Sequence, residues 1–465
     1  MNTEYDVVVI GAGPAGENAA ARAAAGGLEA AIVERELVGG ECSYYACMPS
    51  KALLRPGEAL AAARRVPGAA QAITGEIDIE AALARRDALA SNWDDGGQVD
   101  WLDGVNVNLI RGHGRLAGER TVDVEHRDGT VDTYEARAAV VIATGSGAAR
   151  PAITGLGEVR AWDNRDVTTT KELPRRLTVI GGGVVGSEMA QAWKWLGARE
   201  VTIIEMEDRL LPREEPFVGV ELAAAFQRMG ITVLTDCKVI AVGREGVDGP
   251  ATVIFDEVFG GVEADEILVA VGRRPLTADV GLDRVGLEPG SFIEVNDHMQ
   301  AVAVPGGWLY AVGDVNGRAL LTHTGKYQAR AAGDHIAGKD ASAWSDKSVI
   351  PRVVFTDPQI AAVGLTERQA RDSGIAVRTV QHNTGHVAGA AALGRGIRGT
   401  SQLVIDEDRE VIVGATFVGP GVGEMLHAAT IAIVGEVTLD RLWHAVPAFP
   451  TMSEIWLRFL ESYGL

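Results

Sequence analysis

A duplicated glycine turn constrains this chain more than any other feature. Asp6-Val7-Val8-Val9-Ile10 is a short apolar run of the kind a buried parallel strand needs. It leads into Gly11-Ala12-Gly13-Pro14-Ala15-Gly16, then an alanine-rich helical run, then a second strand, Ala30-Ala31-Ile32-Val33-Glu34. Gly11 permits a tight turn, Gly13 lets a pyrophosphate approach the backbone, and Gly16 lets helix and strand pack closely. Glu34, 18 residues past Gly16, stands where a carboxylate can bind a ribose hydroxyl. The pattern then returns. Leu177-Thr178-Val179-Ile180 runs into Gly181-Gly182-Gly183-Val184-Val185-Gly186, a helical run through about Leu196, and Val201-Thr202-Ile203-Ile204-Glu205. The turns lie 170 positions apart and the acids 171. One GxGxxG is a weak signal, because glycine turns are common. Two copies with matching spacing imply two dinucleotide sites, with Gly181, Gly183, Gly186 and Glu205 repeating the first set.

A chain of 465 residues exceeds one ordinary core, so two to four domains are expected. Hydrophobic residues make 47% and charged residues 23%, a globular balance. The net charge of −20 argues against a DNA, RNA or anionic-membrane partner. The first residues lack a cationic leader pattern, and no apolar run reaches the length of a membrane span, so a cytoplasmic protein is expected. Three cysteines do not form a secreted disulfide framework.

Between the copies, Ala139-Val140-Val141-Ile142-Ala143-Thr144-Gly145 reads as a strand ending in a small-residue turn. Ile267-Leu268-Val269-Ala270-Val271-Gly272-Arg273-Arg274-Pro275 closes the second copy the same way. Gly306-Gly307-Trp308-Leu309-Tyr310-Ala311-Val312-Gly313-Asp314 is a further strand with a terminal acid. Asp314 there can accept a sugar-hydroxyl hydrogen bond, or simply cap the next helix. From about Val349 the pattern alternates, as in Ser401-Gln402-Leu403-Val404-Ile405 and Val411-Ile412-Val413-Gly414-Ala415, with a helical run over Met425 to Val434. This reads as an antiparallel sheet with helices.

Gly39-Gly40-Glu41-Cys42-Ser43-Tyr44-Tyr45-Ala46-Cys47-Met48-Pro49-Ser50-Lys51 holds two of the three cysteines. Five helical steps would set their Cα atoms roughly 8–9 Å apart, beyond the approximate 7 Å reach of a disulfide. A bond between them therefore needs a break in the helix. Pro49 suits the first turn of a helix starting just after Cys47, whose N-terminus would favour a Cys47 thiolate. A redox pair, a zinc half-site and two inert thiols are the readings. Zinc needs about four ligands, and no second cysteine pair or histidine cluster lies nearby.

Cys-x4-Cys followed by Pro-Ser-Lys, set between two GxGxxG turns, resembles the pyridine nucleotide-disulfide oxidoreductases, in particular dihydrolipoyl dehydrogenases and mercuric-reductase-like proteins. The Ala143-Thr144-Gly145, Ala311-Val312-Gly313-Asp314 and Val354-Phe355-Thr356-Asp357-Pro358 segments extend the resemblance along the chain. It implies an α/β fold with two Rossmann-like dinucleotide-binding domains and a C-terminal α+β dimerisation domain. The implied divisions are an FAD-binding domain at 1–150, an NAD(P)-binding domain at 151–275, a central part completing the FAD region at 276–346, and an interface domain at 347–465. FAD is implied in the first site, with Glu34 on the adenosine ribose, Asp314 on the ribityl chain and Thr144 and Gly145 alongside. NAD(P)H is implied in the second, beside Gly272. Glu205 would repel a 2′-phosphate, so NADH is expected over NADPH. Cys42 corresponds to the thiol that exchanges with substrate and Cys47 to the one against the flavin. Lys51 and Glu188 match a buried ion pair near the flavin; two unrelated helix charges are the alternative. A homodimer is implied, its active site completed by the second subunit.

The C-terminal segment departs from that pattern. Ala448-Phe449-Pro450-Thr451-Met452-Ser453-Glu454 carries Phe449 where the dithiol enzymes have an acid–base histidine. Such general acid–base help is typically worth about 10²–10⁴ in rate. Glu454, the residue that would orient the histidine, is left without it. His444 reads as an ordinary surface or core histidine, with a substitute base as the alternative. Tyr44 and Tyr45, in the cysteine spacer, could narrow the disulfide face, supply a phenolic proton or simply pack. The C-terminal cysteine pair of mercuric reductases is missing, and Cys237 reads as an inert strand residue. The leading function is electron transfer from NADH through FAD to Cys42–Cys47 and on to a small disulfide-type acceptor. The alternatives are direct flavin reduction of quinones or metal ions, and a non-catalytic nucleotide-binding protein.

Overall fold

The apolar runs before the glycine turns are central parallel strands. The computed structural model describes residues 3–246, 249–256 and 260–465. The chain divides into two units, the first comprising 1–49, 87–149 and 273–347, the second 50–86, 150–272 and 348–465.

In the first unit, β1 (Glu4–Ile10) pairs in parallel with β2 (Ala30–Glu34), Val8 opposite Ala31. On its other side β1 pairs with Val131–Ile142, Val8 opposite Val140. The sheet runs Val107–Arg111, β2, β1, Val131–Ile142, Thr121–Glu125, His113–Gly118, with Leu309–Ala311 also on Val131–Ile142. Val7, Val8 and Val9 are fully buried, each worth about 1.5–3 kcal/mol by leaving water. The helix α1 (Pro14–Ala25) follows the first glycine turn, with Pro14 where its missing N–H costs nothing. Two short elements come next, α2 (Gly40–Tyr44) and the start of α3 (Cys47–Arg64). The strand expected at 306–314 is shorter, only Leu309–Ala311, and Asp314 lies in the 3₁₀ turn Gly313–Asn316.

The second unit repeats the plan. Its parallel sheet runs Ile231–Leu234, Glu200–Ile204, Arg176–Ile180, Glu266–Val269, and the helix Val184–Leu196 follows the second glycine turn. The segment Arg273–Pro275 does not extend this sheet; it pairs antiparallel with Ser146–Ala148 in the first unit's own sequence. Cys237 is not in a strand. The strand ends at Leu234, and Asp236 takes a left-handed backbone with φ 52° that stops it. The C-terminal part is a five-stranded antiparallel sheet in the order Arg352–Val354, Gln359–Gly364, Val411–Gly419, Thr400–Asp406, Val377–Asn383. Leu426–Val434 and Ile455–Tyr463 cover it, around a core that includes Phe417, Phe459 and Ile455. Among the described residues no helix is long and apolar enough to cross a membrane.

Candidate active site

The two glycine turns are built alike. Gly11 has φ +101° and Gly181 φ +106°, a backbone that favours glycine. A Cβ on Gly16 would lie 1.9 Å from the Gly11 carbonyl oxygen, and one on Gly186 1.9 Å from that of Gly181. Gly13 and Gly183 face the opposite condition: among the described residues nothing stands within 4 Å of an added Cβ. Each turn therefore packs tightly on one side and leaves its backbone open on the other, at a helix N-terminus suited to phosphate. The acids are arranged alike too. Ala12 N–H donates to Glu34 Oε2 at 2.8 Å and Glu36 N–H to Oε1 at 2.7 Å. Gly182 N–H donates to Glu205 Oε2 at 2.6 Å and Glu207 N–H to Oε1 at 2.9 Å. Burial raises the Glu34 carboxyl above its ordinary value, opposed by those two backbone N–H groups.

The cysteine pair belongs to the first unit. The helix breaks between the two residues: α2 ends at Tyr44, Tyr45 has φ −133°, and α3 opens at Cys47. This is the departure from regular helix that a Cys42–Cys47 bond requires. The Cys42 thiol is pushed up, first by its hydrogen bond with Cys47 and then by burial. Cys47 stands in the first turn of α3, at the helix N-terminus. Thr322 Oγ1 lies 3.4 Å from Cys47 Sγ. The start of α2 rests on the first glycine turn, since a Cβ on Gly40 would meet Gly13 Cα at 2.8 Å.

Asp314 does not cap a helix. It accepts from the Ser146 hydroxyl, and the Arg273 guanidinium stands 3.7 Å away. Arg273 in turn donates to Ser146 Oγ and O, each at 2.6 Å. Burial raises the Asp314 carboxyl, against the pull of Ser146 and Arg273. Thr144 Oγ1 is buried with no hydrogen-bond partner among the described residues, and Gly145 beside it has φ +72°. An orphaned hydroxyl and an open glycine backbone in one unit fit a dinucleotide cofactor. Gly272, φ +130°, has open space around it at the end of the second copy.

In the second unit Lys51 Nζ donates to Glu188 Oε2 at 2.7 Å, with the Glu188 side chain 3% exposed. Glu188 Oε1 accepts from Phe355 N–H at 2.9 Å, and Lys51 lies over the Phe355 ring, 4.8 Å from its centroid. The two charges form a pair rather than separate helix decorations. Glu454 is buried and is not partnerless: Arg458 donates to it at 2.6 Å and Ala388 N–H at 3.0 Å. The Arg458 guanidinium holds its carboxyl below the usual range. Phe449 is 76% exposed and His444 is exposed. Tyr44 is buried and donates to the Val38 carbonyl at 2.9 Å, so it packs; Tyr45 meets it edge-on. Cys237 is buried, which raises its thiol. Among the described residues no three His, Cys, Asp or Glu side chains converge as a metal site requires. Sequence reasoning missed Ser146, Arg273, Thr322 and Glu454's link to Arg458. Only the last had a local signal, the spacing of four on a helix.

Comparison with known proteins bears on the same arrangement. Residues 5–331 match the family Pyridine nucleotide-disulphide oxidoreductase, and residues 350–458 its dimerisation domain, which supports a homodimer. The chain is 36% identical to a dihydrolipoyl dehydrogenase of Thermus scotoductus, covering 98% of this chain and 97% of that one. It is 31% identical to a mercuric reductase of Staphylococcus aureus, covering 97% and 81%. The solved structure of LpdA from Mycobacterium tuberculosis superposes with a TM-score of 0.85 at 25% identity, covering 100% of both chains. The fold is also that of the HOCl-induced flavoprotein disulfide reductase RclA from Escherichia coli in its Cu(II) complex, with a TM-score of 0.86 at 23% identity and 99% coverage of each chain. The chain belongs to the pyridine nucleotide-disulphide oxidoreductases, enzymes whose cofactors are FAD and NAD(H).

Proposed function

We propose that the chain passes electrons from NADH to the Cys42–Cys47 pair and from there to a small disulfide-type acceptor. The observation that carries this reading is the pair itself. Cys42 and Cys47 share a hydrogen bond across a helix break, with the start of α2 packed against the first glycine turn. FAD, when bound, supplies two-electron transfer between the nucleotide and the disulfide. Gly11, Gly13, Gly16 and Glu34 would hold it, with Thr144, Gly145 and Asp314 alongside, in a domain spanning 1–150 completed by 276–346. Gly181, Gly183, Gly186, Glu205 and Gly272 would hold the nicotinamide nucleotide within 151–275. The buried Glu205 carboxylate disfavours a 2′-phosphate and so selects NADH. Lys51, fixed by Glu188, supplies a positive charge one helical turn after Cys47. Cys42, matching the family's exchanging thiol, is the one that meets the acceptor, in a site completed by the interface domain (347–465) of the second subunit. A cytoplasmic setting would keep such a thiol pair available for exchange.

Phe449 cannot take a proton from Cys42, and Glu454 is committed to Arg458 and Ala388. Those two observations favour a second reading, direct reduction of quinones or metal ions without the disulfide. An anaerobic NADH titration followed by lipoamide, small disulfides, quinones and mercuric ion separates the two. The first reading expects turnover on a disulfide that Cys42→Ser abolishes. Full turnover of Cys42→Ser on quinones, with no disulfide reduced, would establish the second.

A further inference from the structure

A buried amide stands behind the turn that carries Asp314. Gln328, on the helix Thr322–Ile336, is fully buried. Its Oε1 accepts from the Gly313 N–H at 2.9 Å and from Asn316 Nδ2 at 2.9 Å, the two ends of the 3₁₀ turn Gly313–Asn316. Its Nε2 donates to Asp346 Oδ2 at 2.7 Å. Asp346 is itself buried, and Arg318 Nη1 donates to its other oxygen, Oδ1, at 2.9 Å. By shape alone an amide fits its site either way round, so a neighbour must fix which end faces the turn. The Asp346 carboxylate does this. It only accepts, so it draws the NH2 to itself and leaves the carbonyl facing Gly313. Reversed, the amide would set its oxygen against a carboxylate and its NH2 against two buried donors. The turn has little room to move, since a Cβ on Gly313, φ +79°, would meet Ala15 Cβ at 3.0 Å.

We propose that Gln328 and Asp346 are positioning residues for FAD: Asp346 sets the direction of the Gln328 amide, and that amide holds the Gly313–Asn316 turn so that Asp314 faces the cofactor. The proposal rests on the reading of Asp314 as a residue that holds FAD. It makes the direction of the hydrogen bonds, not the bulk of the side chains, the feature that matters. A carboxyl in place of the Gln328 amide keeps that direction only while protonated, its O–H replacing the NH2 toward Asp346. Ionised, it sets two buried carboxylates against each other. The charged groups facing this pair are Arg318, bonded to Asp346, then Asp297 and Lys347 beyond it. The helix α1, packed on Thr322–Ile336, carries Glu17 and Arg22, and Asp314 faces Arg273. Any pH dependence these groups add is shared by the unaltered enzyme and the variants that keep them.

The test is release of FAD from the purified holoenzyme on dilution, read as free-flavin fluorescence at low and high pH, about 6 and 9. Asp314→Ala, the reference, and Gln328→Leu should each speed release by about ten- to a hundredfold at both. Gln328→Glu should release FAD near the unaltered rate at the lower pH and about tenfold faster at the higher. Asp346→Asn should also be faster: with its oxygen held by Arg318, the introduced amide turns its NH2 toward that of Gln328. Combining Gln328→Glu with Asp346→Asn gives every donor an acceptor again. Release should then return to the unaltered rate, and the pH dependence of Gln328→Glu should vanish. Packing alone would give no such reciprocal rescue, because both substitutions keep the shape of the side chain. A double variant that releases FAD as fast as the faster single one overturns the proposal. So does a Gln328→Glu variant with the pH profile of the unaltered enzyme. If Gln328→Leu fails to fold, these isosteric variants decide. Failure of the underlying reading shows separately. Unaltered release in Asp314→Ala removes Asp314 from the cofactor and the proposal with it, whereas fast release in Asp314→Ala beside normal retention in Gln328→Leu removes the proposal alone.

Discussion

The two glycine turns share a backbone plan but differ in the side chains just beyond the third glycine. Position 17 in the first copy corresponds to position 187 in the second, and both side chains are buried. Ser187 is satisfied locally, its hydroxyl donating to the Gly182 carbonyl at 3.2 Å. Glu17 leaves an oxygen without a hydrogen-bond partner among the described residues. One residue on, the contrast reverses. Asn18 merely donates back to the Pro14 carbonyl at 2.9 Å, whereas Glu188 anchors Lys51 and the Phe355 N–H. A dinucleotide turn demands the same backbone wherever it occurs, so the glycines and the acid repeat. The next two side chains are free of that demand, and there the chain has placed different charges in each copy.

The comparison breaks most sharply at the third glycine. Gly16→Ala and Gly186→Ala each force a Cβ onto a carbonyl, an overpacking of about 1–3 kcal/mol or more. The losses should separate. Gly16→Ala loses bound FAD, measured by flavin absorbance on purification. Gly186→Ala keeps FAD but loses about 10–100-fold in kcat/KM for NADH. Loss of the same cofactor by both would end the assignment of two distinct sites.

Next in size are the charges after the turn. Lys51→Met strands the Glu188 carboxylate with one backbone donor and should cost about 2–3 kcal/mol in denaturant unfolding, less than for a fully buried pair because Lys51 is half-buried. Asn18→Ala, by contrast, should cost about 1 kcal/mol or less. Glu17 adds a pH dependence of definite sign. Its carboxyl is raised from the ordinary 4.5 to about 7, so the folded state binds the proton more tightly than the unfolded chain. That stability is present below pH 4.5 and lost as pH rises through 7, by up to about 3 kcal/mol. Glu17→Gln should flatten this part of the unfolding profile, and Ser187→Ala should leave it unchanged. The smallest effect is specificity: Glu205→Ala should shrink the preference for NADH over NADPH by about tenfold in kcat/KM, near 1.4 kcal/mol.

How much the residues disclosed depended on the range of the forces involved. β1, β2 and the strand before Gly181 were legible because a buried parallel strand needs an unbroken apolar run, and the turns because only glycine tolerates the φ of Gly11 or the contact at Gly16. Local patterning misjudged Cys237, where the left-handed backbone at Asp236 ends the strand early, and the 306–314 run, of which only three residues pair. Pairings across long separations left no local trace. Ser146 with Asp314 and Cys47 with Thr322 are brought together by the sheet order and the packing of the segments after it. The loss of the histidine at Phe449 was visible by comparison with the family pattern, but the commitment of Glu454 to Arg458 needed the fold.

The central claim is that Cys42–Cys47 is the route by which electrons leave the flavin. Anaerobic titration of the FAD-loaded enzyme with NADH, followed by visible absorbance, tests it most directly. Two electrons should produce a long-wavelength charge-transfer band that depends on the Cys47 thiolate and disappears in Cys47→Ser. A band that survives in Cys47→Ser, or one that never forms in the unaltered enzyme, would contradict the account.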